Sequence, residues 1–157
     1  MLQRAAPTIR ELLSYRLHQV ANLLSRGAEM RYRREFGVSL WEWRTVALLG
    51  GAGEPQSLNE LARAAGMDKG QMSRVVSGLT AKKIISRQAD ANDARGIRLS
   101  LTPSGNRLYR KLIGAAAERN SAFLNCLSGQ ERACLEKAMT KLAREARSFI
   151  QKEESSR

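Results

Sequence analysis

The chain is expected to be mainly helical (α+β), with long helices at both ends around two short helices and a β-hairpin. Three observations lead there. Residues 57–65 and 68–79 show helical apolar spacing on either side of a glycine turn. Residues 84–101 switch to a period of two around a polar tip. Apolar stripes at helical spacing fill both flanks. Helix, tight turn, helix and hairpin, in that order, make a winged helix-turn-helix.

Each element has its own signals. Ile9, Leu13, Leu17, Val20 and Leu24 form one stripe, so residues 8–35 are expected to be a first long helix, broken at Gly37 and Val38. Ser39 and Glu42 have capping-box spacing and open a helix through Leu49. Gly50, Gly51, Gly53 and Pro55 read as a loop. Ser57 and Glu60 repeat the capping box, and Leu58, Leu61, Ala62 and Ala65 follow on one face. Gly66 supplies a left-handed stop, and Asp68 caps the next helix almost at once.

That helix has two faces. Met72, Val75, Val76 and Leu79 make a buried stripe, while Gly70, Ser73, Arg74 and Ser77 make a small, polar one. Ile84 and Ile85 open the hairpin, Asp90 to Gly96 form its tip, and Ile97, Leu99 and Leu101 face inward. Thr102 and Pro103 start a helix expected to reach Leu127, with Leu108, Leu112, Ala116, Phe123 and Leu127 on one side. Ser128 and Glu131 cap a last helix carrying Leu135, Met139, Leu142, Ala146 and Phe149. Residues 1–157 are expected to be one domain. Within it, residues 39–101 form the winged lobe, and residues 1–38 and 102–157 a helical dimerisation region. The flanking stripes fit either a two-fold dimer or burial against each other in a monomer.

Charge points to a polyanionic partner. Lys and Arg number 27 against 15 Asp and Glu, a net charge of +12. Residues 69–98 hold seven basic and two acidic residues, a net +5. Such a field favours phosphate and makes affinity fall with salt. Small side chains let a helix approach base pairs, and Gln, Ser and Arg can bond base edges. The candidate contacts to double-stranded DNA are Ser57, Lys69, Gln71, Ser73, Arg74, Ser77, Arg87, Arg95 and Arg98. An ordinary helical corner with a polar outer face, beside a solvated loop, is the plainer alternative. No run of about 18 apolar residues exists to span a bilayer, and no secretory signal opens the chain, so a cytoplasmic, membrane-free protein is expected.

An enzyme is disfavoured, and no cofactor or metal is expected. One histidine allows no His cluster, and two cysteines eight apart make no zinc site. Phosphate-binding glycine loops and the G-x-S-x-G elbow do not occur in the sequence. A winged-helix protein–protein module is another alternative, although it needs no basic recognition face.

The segments SLWEWRTVALLG, LARAAGMDKGQMSRVVSGLTAKKII and DANDARGIRLSLTPSGNRL together resemble the multiple-antibiotic-resistance regulator (MarR) family of bacterial transcription factors. Asp93, Arg95, Leu101, Thr102 and Gly105 match its D-x-R…LT-x-x-G pattern; Ala94 stands where many members carry a second basic residue. The resemblance implies a homodimer joined by terminal helices and a repressor of a pseudo-palindromic operator. It also implies release by a small-molecule effector, an aromatic acid or an acyl-coenzyme A thioester. Gln71, Ser73, Arg74 and Ser77 would face the major groove, Arg95 would sit at the wing tip, and Asp93 would brace the wing.

Candidate effector contacts are Arg16, His18, Trp41, Trp43 and Arg44, since an arginine beside an aromatic can hold a carboxylate and stack a ring. Core packing of the tryptophans is the plainer alternative. The arginine-rich Arg31 to Arg34 could suit thioester phosphates. Cys126 and Cys134 leave a thiol-redox repressor as an alternative, although apolar surroundings favour structural burial of both.

Overall fold

The computed structural model describes residues 8–90 and 96–156. The elements are a 3-10 turn Ile9–Glu11, α1 Leu13–Phe36, α2 Leu40–Ala52, β1 Gln56–Ser57, α3 Leu58–Ala65, α4 Lys69–Ala81, β2 Ile85–Ala89, β3 Ile97–Leu101, α5 Pro103–Leu124 and α6 Gly129–Ser155. The fold is a winged helix-turn-helix flanked by long helices. It divides into two compact units, residues 1–113 and 114–157, with the boundary inside α5.

In the first unit, α2, α3, α4 and the sheet share one core. Val46 and Leu49 of α2, Leu61 and Ala62 of α3, Met72, Val76 and Leu79 of α4, Ile85 of β2 and Leu99 of β3 are buried. Ala28 and Tyr32 of α1 extend it, and the Tyr32 and Trp43 rings meet at 5.0 Å, tilted by 52°. The sheet order is β1-β3-β2, antiparallel throughout, with Ser57 opposite Arg98 and Ala89 opposite Ile97.

Several boundaries differ from expectation. The first helix is not continuous from residue 8. Thr8 and Glu11 close their own capping box, and Leu12 is extended (φ −68°, ψ 134°) before α1 begins. The glycines 50 and 51 are helical rather than a loop, and α2 stops at Gly53 in the left-handed region. Packing explains this: a Cβ at Gly50 would lie 2.5 Å from the Tyr109 ring, so α5 presses on the helix where only glycine fits. β1 is an unforeseen third strand. In the hairpin, Leu99 is buried but Ile97, the first residue of β3 after the tip, is half exposed. Val75 is only half-buried.

In the second unit, α5 ends at Leu124 rather than Leu127, and the Ser128–Glu131 capping box opens α6 as expected. α6 buries none of its residues in the single chain. Cys126 and Cys134 are therefore exposed, not buried. The stripe on α1 is likewise open: Leu13, Leu17 and Val20 are exposed in the single chain. Among the described residues, no helix is long and apolar enough to cross a membrane.

Candidate nucleic-acid interface

The helix-turn-helix is built by local chemistry. Ser57 Oγ accepts the Glu60 N–H at 3.2 Å, and the Glu60 carboxylate accepts the Ser57 N–H at 2.7 Å. That pair starts α3. Gly66 ends it at φ 64°, and the Met67 N–H returns to the Ala62 carbonyl at 2.9 Å. Asp68 Oδ1 then accepts the Gln71 N–H at 2.8 Å and starts α4.

α4 turns Met72, Val76 and Leu79 inward and leaves Lys69, Gln71, Arg74 and Ser77 exposed on the outside. Lys69 and Arg74 take part in no ion pair among the described residues. Their charges are therefore free to meet an incoming anion. Ser73 is half-buried and lines a small cleft with Leu58, Val76, Arg87, Ile97 and Leu99, where the hairpin meets the helix. A larger open cleft of about 470 Å³ lies beside Ser57, Asn59, Lys69, Asp90 and Gly96.

The hairpin cations are held more firmly. Arg87 donates to Ser77 Oγ at 3.0 Å, tying β2 to the exposed side of α4. Arg98 Nε donates to Asp90 at 2.7 Å, and its Nη1 reaches Glu60 at 3.1 Å. Asp90, first of all, raises the Arg98 pKa above the ordinary arginine value. The Ser57 N–H and hydroxyl, and after them the Arg98 charge, hold the Glu60 carboxyl below the usual glutamate range. Ser57 is therefore engaged as a cap, with its hydroxyl and its N–H both turned to Glu60. Arg95, Asp93 and Ala94 lie outside the described residues.

The junction behind the wing is equally specific. Thr102 Oγ1 donates to the Lys83 carbonyl at 2.7 Å and accepts the Gly105 N–H at 3.0 Å. A Cβ on Gly105 would run into the Ile84 carbonyl oxygen. Thus the LT-x-x-G pattern is the hinge point where α5 leaves the sheet. Lys83 beside it takes the left-handed conformation at φ 57°.

The candidate effector residues separate. Trp43 is buried in the core against Tyr32. The Arg44 guanidinium lies 4.8 Å over the Trp41 ring and donates to Ser25 at 3.1 Å. Trp43 and Arg44 line an open cleft of about 360 Å³ with Ala47, Leu48, Ala64 and Ala65. Arg16 and His18 do not line it. Both are exposed on α1, where His18 Nε2 meets Asn22 at 2.9 Å. The arginines of residues 31–34 are paired with acids: Arg31 and Arg34 with Glu35, and Arg33 with Glu29.

In the sequence, Asp90 reads only as a turn residue and Glu60 only as a cap. Neither carries a local sign of its partner. Arg98 is 38 residues from Glu60, and only the β1–β3 pairing brings them together.

Residues 36–96 match the sequence profile of the MarR family. The whole fold is similar to a MarR/EmrR family transcriptional regulator from an Acinetobacter species. There the identity is 27%, the TM-score 0.82, and the match covers 90% of this chain and 99% of that one. A probable transcriptional regulator from Pseudomonas aeruginosa matches at 26% identity and TM-score 0.73, over 86% of this chain and 99% of that one. The S. aureus MepR–DNA complex shares the fold at 23% identity and TM-score 0.75, over 85% of this chain and 98% of that one. The helix-turn-helix and the wing junction at Thr102 and Gly105 agree with these likenesses: residues 36–96 match the MarR profile, and the fold as a whole is similar to that of MarR/EmrR transcriptional regulators.

Proposed function

We propose that the chain works as a homodimeric repressor that binds a pseudo-palindromic operator and is released by a small anionic effector. The observation that carries the DNA contact is the exposed face of α4. Lys69, Gln71, Arg74 and Ser77 stand there together, and neither cation is in an ion pair among the described residues. Gln71 and Arg74 can bond base edges, while Lys69 at the start of α4 suits phosphate. Arg87 extends the contact along β2, and the sequence pattern makes Arg95 a further candidate. A structural neighbour solved with DNA supports the choice of partner.

The exposed stripes of α1 and α6 support a dimer, because large apolar patches are normally covered by a partner. Two recognition helices in a two-fold dimer would read half-sites about one helical turn apart. For the effector, the stacked Trp41–Arg44 pair offers an aromatic plane and a fixed guanidinium, which suits an aromatic carboxylate. A thioester phosphate site at residues 31–34 is less supported, since each of those arginines is already paired with Glu29 or Glu35.

A labelled duplex selected by the protein from a random pool gives the test. Arg74→Ala should lose about tenfold affinity on that duplex and much less on random DNA, as for one lost base contact. Equal losses on both would assign Arg74 to phosphate, and no loss on either would remove α4 from the interface. Benzoate-type acids should release the duplex from the wild type but not from Arg44→Ala. Release from both would move the effector site elsewhere.

A further inference from the structure

Arg98 has the position of a DNA contact but the surroundings of a brace. Its guanidinium spans two carboxylates, Asp90 at 2.7 Å and Glu60 at 3.1 Å, and also reaches the Pro55 carbonyl at 3.4 Å. Asp90 is the residue after β2, and its N–H donates to the Gly96 carbonyl at 2.9 Å, closing the neck of the hairpin. Glu60 is the third residue of α3 and holds the Ser57 N–H with the same carboxylate. One guanidinium therefore joins the hairpin neck to the start of the helix-turn-helix. The Asp90 side chain is 14% exposed and the Arg98 side chain 35%.

Apolar packing offers little at this point, since Ile97 is half exposed. Charge also argues against a phosphate role. The Arg98 guanidinium is already shared between two carboxylates, which leaves it less positive charge to offer a DNA phosphate. A planar fork that donates to two acids is instead a device for fixing geometry.

From this arrangement we infer that Arg98 is a positioning residue. With Asp90 and Glu60 it sets the angle of the wing against α4, and DNA affinity depends on the triad without any of its members touching DNA. The inference rests on the DNA-binding reading, and it yields an inverted sign. Removing an acid beside a DNA-binding surface ordinarily tightens binding; here Asp90→Asn should weaken it.

The experiment uses the full chain, the selected duplex of about 30 base pairs, and the variants Asp90→Asn, Glu60→Gln, Arg98→Ala and Arg98→Lys. Gln at position 60 keeps the capping box. Asp90→Asn and Arg98→Ala should each weaken binding about two- to fivefold, in keeping with the loss of one partly exposed ion pair. The slope of log affinity against log salt should stay unchanged. Arg98→Lys keeps the charge but not the fork, and should resemble Arg98→Ala. Without DNA, hydrogen exchange at the residue 90 amide should quicken several-fold in Asp90→Asn, Glu60→Gln and Arg98→Ala.

Tighter binding by Asp90→Asn would overturn the inference. So would a salt slope lowered by about 0.9 in Arg98→Ala, the mark of one lost phosphate contact, or unchanged exchange in all three variants. A wild-type chain that selects no duplex would count against the DNA-binding reading instead, and the exchange rates would still decide the brace.

Discussion

A side chain at Gly105 would collide with the Ile84 carbonyl, so α5 can leave the sheet only through glycine. Gly105→Ala should lower stability by about 2–4 kcal/mol, because the obstacle is backbone and cannot step aside. Urea unfolding would show a lower midpoint with an unchanged slope. Lys83, in the left-handed region at φ 57°, predicts the opposite sign. Lys83→Gly should raise stability by about 0.5–1 kcal/mol as the strained Cβ is removed. At this scale the sequence was legible where partners are local. The Asp68 cap and the Gly66 stop could be read because each acts within a few residues. Glycine at 105 and arginine at 98 could be seen but not explained. Their partners, Ile84 and Glu60, are distant in sequence and meet them only in the sheet.

The capping boxes at Ser39, Ser57 and Ser128 all form as their spacing implies, because serine and glutamate three apart need no tertiary help. Helix ends set by packing were not legible. Gly50 and Gly51 in α2 read as a loop until Tyr109 is seen against Gly50, and the two-residue β1 exists only through its pairing with β3. The caps also predict acid sensitivity. Burial pushes the Glu42 carboxyl up, but hydrogen bonds from Lys82 at 2.6 Å and from the Ser39 N–H outweigh it and leave the pKa lowered. Glu60 and Glu131 are lowered chiefly by the backbone N–H of Ser57 and Ser128. A depressed carboxylate stabilises the fold above its unfolded pKa and loses that contribution as pH falls through the folded value. The melting temperature should therefore drop as pH is taken below about 4. Glu42→Gln should cost about 1 kcal/mol at neutral pH by removing the Lys82 pair. It should also flatten the decline of melting temperature with acid; an unchanged pH profile would show that Glu42 contributes nothing.

At the scale of the whole molecule, the exposed stripes of α1 and α6 matter most. Periodicity identified them as apolar faces, but a single chain does not contain what covers them. A dimer formed by these faces predicts that Leu17→Glu and Phe149→Glu, together, yield a monomer by sedimentation. Affinity for the selected duplex should then fall at least tenfold, since two half-sites no longer act as one. A dimer that survives both changes would place the interface on other surfaces. The most direct test of a symmetric DNA-binding regulator is a hydroxyl-radical footprint of the wild-type chain on its selected duplex. Two protected segments centred about 10 base pairs apart, both absent in Arg74→Ala at the protein concentration that just protects with the wild type, are the predicted result. One unbroken protection that ignores sequence, or two segments that persist in Arg74→Ala, would contradict recognition through α4.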